Sequence, residues 1–186
     1  MMADRKIDVI ITHAPAPSVR NIVLNRLLVV VTILVLGCSR DIPADPMCRT
    51  GVLHKDTKTS AAACLIKSNG LLLAIKNHGD DGWNLPTHKQ QQSTSAQCTA
   101  HQAAWKTTGL NVEVGILLFT STKQTQYFSC KLTDDLSRQL ELFPVPTWGK
   151  RTTSKIALID PFDTQHGQWV NDIDLISLRE AFNKLH

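Results

Sequence analysis

Residues 83–110 read WNLPTHKQQQSTSAQCTAHQAAWKTTGL, an extended segment followed by a helix with marked ends. It opens on Trp83-Asn84-Leu85-Pro86, where the proline disfavours helix through the residue before it. Beyond Gln90-Gln91-Gln92, Thr94 with Gln97 three residues on has the form of a capping box, and Ala96, Ala100, Ala103 and Ala104 recur at helical spacing. Gly109 stands where a helix closes through a left-handed residue, with Leu110 placed to fold back on the last turn. The pattern predicts one helix over about residues 94–108 with a sharp end.

On the N-terminal side, residues 61–67 and 71–76 are short apolar runs separated by Ser68-Asn69-Gly70, and Asn-Gly between two such runs is a strong signal for a tight hairpin. On the C-terminal side, residues 112–120 and 126–132 read as two strands, residues 156–159 as a further one, and residues 144–149 as a loop. The chain closes on Trp169-Val170 and an amphipathic helix from about Asp172, a natural N-cap, carrying Leu175, Ile176, Leu178, Phe182 and Leu185. Mixed strands with a central and a terminal helix predict an α/β sandwich with a mixed sheet. The central helix is expected between the hairpin-containing sheet and the C-terminal helix, with Leu85, Ala104 and Leu110 buried.

The order hairpin, Trp-x-Leu-Pro, loop, helix ending Thr-Gly-Leu, strand resembles the Nudix hydrolases, and the resemblance spans residues 59–186. The family box runs glycine, five residues, glutamate, seven residues, Arg-Glu, an apolar residue, any residue, Glu-Glu, any residue, glycine, apolar. With Gly109 and Leu110 on its last two positions, Trp83, Leu85 and Pro86 fall at the family's distance upstream without a gap. The resemblance implies a Nudix-type α/β/α sandwich and, in the family, pyrophosphohydrolase chemistry on nucleotide-type substrates. The same alignment puts His88 on the opening glycine, Thr94 on the first glutamate, Gln102-Ala103 on the Arg-Glu pair, Ala104 on the apolar position and Lys106-Thr107 on the Glu-Glu pair.

In the family pattern, glutamates one helical turn apart project from one face and hold magnesium against a diphosphate. Here that face presents Ala103, Lys106 and Thr107, and an ammonium repels a cation by about 4 kcal/mol at 4 Å with an effective dielectric near 20. No acidic residue occurs from Gly82 to Val112, so no small shift of the alignment restores the box. The whole chain has three glutamates, Glu113, Glu141 and Glu180. The expectation is a catalytically inactive or impaired domain with no metal or cofactor, acting as a binding module for a nucleotide, a phosphorylated small molecule or a protein. Lys106, Lys150 and Arg151 are its candidate anion-binding groups. The alternative is an active hydrolase that draws metal ligands from outside the box, for which Asp80, Asp81, Asp134, Asp135 and Glu113 are the candidates, although aspartates beside glycine or after a strand are also ordinary turn residues. His88 and His101 lack a readable partner for general-base work, and Trp83 and Trp105 read as packing side chains.

The net charge of +4 on 186 residues is too mild for a nucleic-acid footprint. Residues 27–37, LLVVVTILVLG, are uncharged, are preceded by Arg20 and Arg26, and are followed by Cys38. A run of eleven suits a secretory hydrophobic region better than a full membrane span of about 20 residues. Val35-Leu36-Gly37-Cys38 resembles the bacterial lipobox, which implies lipidation of Cys38; an uncleaved single-pass anchor and a plain signal peptide are the other readings. The organisation expected is a signal or anchor over 1–38, a linker over 39–58 containing Pro43 and Pro46, and a domain over 59–186, at or exported across a cell membrane. The five cysteines, Cys38, Cys48, Cys64, Cys98 and Cys130, are odd in number and widely spaced, which offers no disulfide framework, and they are expected as core or surface thiols.

Overall fold

A computed structural model describes residues 43–55, 59–132, 142–170 and 173–185. The apolar run of residues 27–37, Cys38, Asp134, Asp135 and Asp172 lie outside the described residues. Among the described residues no helix is long and apolar enough to cross a membrane.

The first two strands, β1 (Ala61–Ser68) and β2 (Leu71–Asn77), form the expected hairpin. Asn69 and Gly70 take φ of 53° and 78°, the double left-handed conformation that a two-residue turn requires and that Asn-Gly tolerates. A short β3 (Thr87–Lys89) follows the Trp-x-Leu-Pro segment, then helix α1 (Ala96–Thr108), β4 (Glu113–Thr120), β5 (Thr125–Lys131), a two-residue β6 (Leu142–Phe143), β7 (Thr153–Ile159) and helix α2 (Leu175–Asn183). The sheet order is β4-β5-β1-β2-β7-β6, with β3 paired to β1. β1 runs parallel to β5 and antiparallel to β2 and β3, so the sheet is mixed.

β1 and β2 are buried on both faces, and alternation sorts their side chains into two layers. Ala62, Cys64, Ile66, Leu73 and Ile75 pack with Ala96, Ala100 and Ala104 of α1 and with Phe128 and Val114. Leu65, Leu72 and Ala74 point the other way and pack with Leu175, Leu178, Ala181 and Phe182 of α2 and with Leu85 and Trp169. The sheet therefore lies between the helices, and the expectation that α1 sits between sheet and terminal helix is corrected. The reason is that one strand buries alternate residues on opposite faces, and each face takes its own helix. Leu85 and Ala104 are buried as expected, whereas Leu110 is half-buried at the edge of the α1 layer.

Both helix starts differ from the sequence reading by one or two residues. Ser95, not Thr94, caps α1, its hydroxyl accepting from the Cys98 N–H at 3.2 Å. Gln97 is not part of a box; its amide bridges the Val52 and Gly115 carbonyls and accepts from the His54 N–H. Asp174 caps α2 by accepting from the Ile176 N–H at 3.0 Å, and Ile176, expected on the apolar face, is 70% exposed. Trp169 forms a single parallel bridge to Trp83. That bridge passes so close that a Cβ on Gly82 would lie 2.8 Å from the Trp169 carbonyl carbon, which only glycine avoids.

The cysteine expectation is overturned. Cys64 and Cys130 join β1 to β5 inside the α1 layer, and Cys48 joins the segment before the domain to Cys98 on α1, with Cα atoms 5.6 and 5.4 Å apart. The segment read as a linker is fastened to the sheet edge as well. Thr50 bridges Val114 of β4, the Gly51 N–H donates to the Val114 carbonyl at 3.0 Å, and the Val114 N–H donates to Arg49 at 2.9 Å.

Candidate functional site

The face expected to carry the chemistry is assembled from β3, α1 and residues 43–54. Pairing of β3 with β1 sets His88 opposite Ala62. Lys106 comes from the last turn of α1, where the negative end of the helix dipole favours a cation. Its ammonium lies 3.5 Å from His88 Nε2 and 3.6 Å from Asp45 Oδ2, with the two charged side chains 39% and 34% exposed. Gly109 ends the helix at φ 75°, its N–H donating to the Trp105 carbonyl at 2.9 Å. Of the eight box positions, Lys106 and His88 are brought together. Asp45, the third member, was missed by sequence reading, because nothing in a Pro-rich segment foretells where it docks.

The arrangement does not fit a hard divalent cation. Ala103 has only a methyl group and is 1% exposed. The Thr107 hydroxyl donates to the Ala103 carbonyl at 2.7 Å, an ordinary helical back-bond. Thr94 lies before the cap and its carbonyl accepts from the Gln90 amide; Gln102 is half-buried. Magnesium needs near-octahedral oxygen ligands, preferably anionic, and the group projecting here is an ammonium. The described candidates for a site outside the box, Asp80, Asp81 and Glu113, are not gathered either. Asp80 accepts from the Asn77 side-chain amide at 3.0 Å as a turn residue, the Asp81 carbonyl accepts from Lys76, and Glu113 sits at the far sheet edge in a cleft of about 300 Å³ with Arg49 and Lys131. Among the described residues no three metal-ligating side chains cluster.

His88 has its pKa lowered from the usual histidine value, first by burial and then by the neighbouring Lys106 charge, with Asp45 acting in the opposite sense. A lowered folded-state pKa means the unfolded chain binds the proton more readily, so this contribution is present above about pH 6.5 and is lost as pH falls through and below that value. We expect the His88 imidazole, followed by NMR, to titrate below the ordinary histidine midpoint and to move upward in Lys106→Gln. An unmoved midpoint in that variant would show that the Lys106 charge does not act on the ring.

Lys150 and Arg151 form a 3-10 turn over residues 149–151 packed on the end of α1, where a Cβ on Gly149 would lie 3.0 Å from the Lys106 carbonyl oxygen. Lys150 opens onto a cleft of about 520 Å³ with His78, Thr153, Ser154 and Lys155, and His78 Nε2 lies 2.9 Å from the Lys150 carbonyl. Lys106 and Arg151 do not line it, so the three expected anion-binding groups do not share one site. Lys155 was missed because the strand read over residues 156–159 begins three residues earlier, at Thr153, which places Lys155 on an exposed position of β7. Thr87, on the other side of β3 from His88, lines a separate polar cleft of about 370 Å³ with Asn84, Lys123 and Tyr127. Burial raises the Tyr127 pKa, and its ring stacks on Phe119 at 4.3 Å.

The aromatic residues pack. Trp105 lies 5.1 Å from Trp148, whose indole N–H donates to the Trp105 carbonyl at 3.3 Å, and the Trp83 ring is covered by the Lys76 and Lys155 ammonium groups. His101 is buried with Nε2 3.0 Å from the Asn111 side-chain oxygen, a structural contact that ties the helix to the loop after it.

No family model and no curated protein sequence matches the chain. Solved structures do. An ADP-ribose pyrophosphatase from Streptococcus suis 89-1591 superposes with a TM-score of 0.51 at 12% identity, covering 66% of this chain and 88% of the other. A Nudix hydrolase from Nitrosomonas europaea gives 0.51 at 15% identity over 70% of this chain and 73% of its own. The fold is a Nudix fold. A UDP-X diphosphatase gives 0.50 at 14% identity over 88% of this chain and 79% of its own. At such identities the likeness is one of fold, and the chemistry of this Nudix-fold domain has to be argued from its own side chains.

Proposed function

We propose that this chain is a Nudix-fold binding module that recognises a nucleotide- or pyrophosphate-type anion without hydrolysing it through the box helix, and that it works outside the cytosol, held at a membrane by its N-terminal segment. One observation carries the first part: the α1 face that would have to hold a metal presents the Lys106 ammonium within 3.5 Å of His88 and 3.6 Å of Asp45. A fixed cation can meet a phosphate directly, as a compact charge with three donors, but it cannot coordinate and activate a water as a metal does. The ligand class is supported by the structural neighbours described as an ADP-ribose pyrophosphatase and a UDP-X diphosphatase.

The location is supported by two independent features. Residues 27–38 have the pattern of an export segment ending at Cys38, and the two disulfides are of a kind that persists in oxidising compartments and is rare in the cytosol. Acylation of Cys38 would make the anchor a lipid.

The test is an assay of the purified chain against nucleoside di- and triphosphates, nucleotide sugars and dinucleoside polyphosphates, with magnesium or manganese. The expected result is no metal-dependent turnover. Turnover reaching a modest enzyme rate of about 1 s⁻¹, requiring metal and abolished by substitution on the box helix, would contradict the reading.

A further inference from the structure

We propose that residues 43–54 are a masking strap, in which the Asp45 carboxylate acts as a built-in counter-ion for a Lys106–His88 anion site, so that a compact polyphosphate binds by displacing Asp45. This deepens the function proposed above and rests on its reading of the α1 face as one that binds an anion rather than a metal.

The geometry supports competition at a single place. Asp45 Oδ2 is 3.6 Å from the Lys106 ammonium, and His88 Nε2 is 3.5 Å from the same nitrogen, so an incoming phosphate oxygen would meet an ammonium and an imidazole where the carboxylate now stands. Neither charged side chain is deeply buried, which leaves the position open to solvent and to a ligand. His88 is fixed by the β3–β1 pairing and Lys106 by the last helical turn, so the two groups are held in place whether or not Asp45 is there.

The position of Asp45 does not depend on the ion pair. Three residues further on, Cys48 is bonded to Cys98 of the same helix. The next residues pair with Val114 of β4, and Val52 and His54 are held by the two ends of the buried Gln97 amide. An exposed ion pair is too weak to order such a segment, whereas a disulfide and a set of backbone hydrogen bonds suffice. The strap is thus ordered by neutral contacts, and the carboxylate is delivered to Lys106 at high effective concentration. A free anion must compete with a tethered one, as a ligand competes with an intramolecular mimic.

The experiment titrates inorganic pyrophosphate, without metal and at low salt, into the full chain and three variants, by calorimetry. Asp45→Asn keeps the size of the side chain and removes its charge; it should bind pyrophosphate about fivefold tighter than the parent, the scale set by losing one exposed ion pair. Cys48→Ala with Cys98→Ala should tighten binding in the same direction by loosening the strap. Lys106→Gln added to Asp45→Asn should cancel the gain, and the His88 imidazole resonance, which reports the site independently of affinity, should shift with pyrophosphate in Asp45→Asn. An Asp45→Asn affinity equal to the parent's, or a gain that survives Lys106→Gln, would overturn the proposal. Phosphate release is measured in the same samples with magnesium added: cleavage by Asp45→Asn would sink the non-hydrolysing function and leave the masked site standing, while unchanged binding without cleavage would do the reverse.

Discussion

Opening both disulfides with a strong reductant is expected to lower the unfolding free energy by at least about 4 kcal/mol, and most of that loss should track the Cys64–Cys130 bond. The two bonds close loops of 50 and 66 residues. In the chain-entropy picture each restricts the unfolded ensemble by about 4 kcal/mol at 25 °C, and measured values run at roughly 2–4 kcal/mol. The two differ in the folded state. Cys64 and Cys130 are buried between β1 and β5 among Ala62, Ile66 and Phe128, so alanine at both positions also removes packed sulfur from the α1 layer. Cys48 and Cys98 are half-buried, and losing that bond should release residues 43–54 with less damage to the core. Urea denaturation of the oxidised and reduced protein, and of Cys64→Ala with Cys130→Ala against Cys48→Ala with Cys98→Ala, separates the contributions. Coincident midpoints for oxidised and reduced protein would mean the bonds do not constrain this fold.

The second large effect is a gain. Replacing Lys106, Thr107 and Thr94 with glutamate is expected to create divalent-metal affinity of about 10⁻³ M, the weak end of natural oxygen-ligand sites, with none expected of the parent. Three carboxylates would join Asp45, and the reversal at position 106 would turn a repulsion of about 4 kcal/mol at 4 Å and an effective dielectric near 20 into an attraction, reduced by solvent at a half-exposed side chain. Ala103 is left alone, because at 1% exposure a carboxylate there would be buried against the sheet. The same change should reverse the direction in which residue 106 acts on His88, raising rather than lowering its pKa. A folded triple variant with no manganese affinity would count against the placement of these residues on one metal-holding face.

How much of this was legible follows from the range of the interactions involved. The Asn69-Gly70 hairpin, α1 with its Gly109 end, β4, β5 and the terminal helix rest on local patterns, and each is found within a few residues of its expected place. The cap is Ser95 rather than Thr94, in keeping with the somewhat stronger capping preference of serine, and adjacent residues of these two types leave the helix start open by one residue in the sequence. β3 and β6 have three and two residues, too short for alternation to register. The strap was illegible for a different reason. Its contacts reach from residue 48 to 98 and from residues 52 and 54 to 97, and Pro43, Pro46 and mixed charges describe a tether equally well. The disulfides were hidden by counting: with Cys38 included the number is odd, whereas setting it aside as a processing-site residue leaves four, the even number that an exported domain pairs.

The site was legible in its losses more than in its contents. The alignment placed Ala103, Lys106 and Thr107 on the face where the family keeps glutamates, and the structure sets Lys106 beside His88. Asp45 stood in a segment assigned to the linker, and Lys150 and Arg151, adjacent in sequence, turned out to face different surroundings because a 3-10 turn rotates successive side chains apart.

Paramagnetic NMR reports whether the box helix of this Nudix-fold domain presents a cation where a metal would have to bind. Manganese is titrated into the isotope-labelled protein while the amide and imidazole resonances of His88, Ala103, Lys106 and Thr107 are followed, with the triple glutamate variant as the positive control. No selective broadening is expected at these residues in the parent, and clear broadening is expected in the control. Selective broadening centred on Lys106 and Thr107 in the parent, at manganese concentrations of about 1 mM or below, would contradict this expectation.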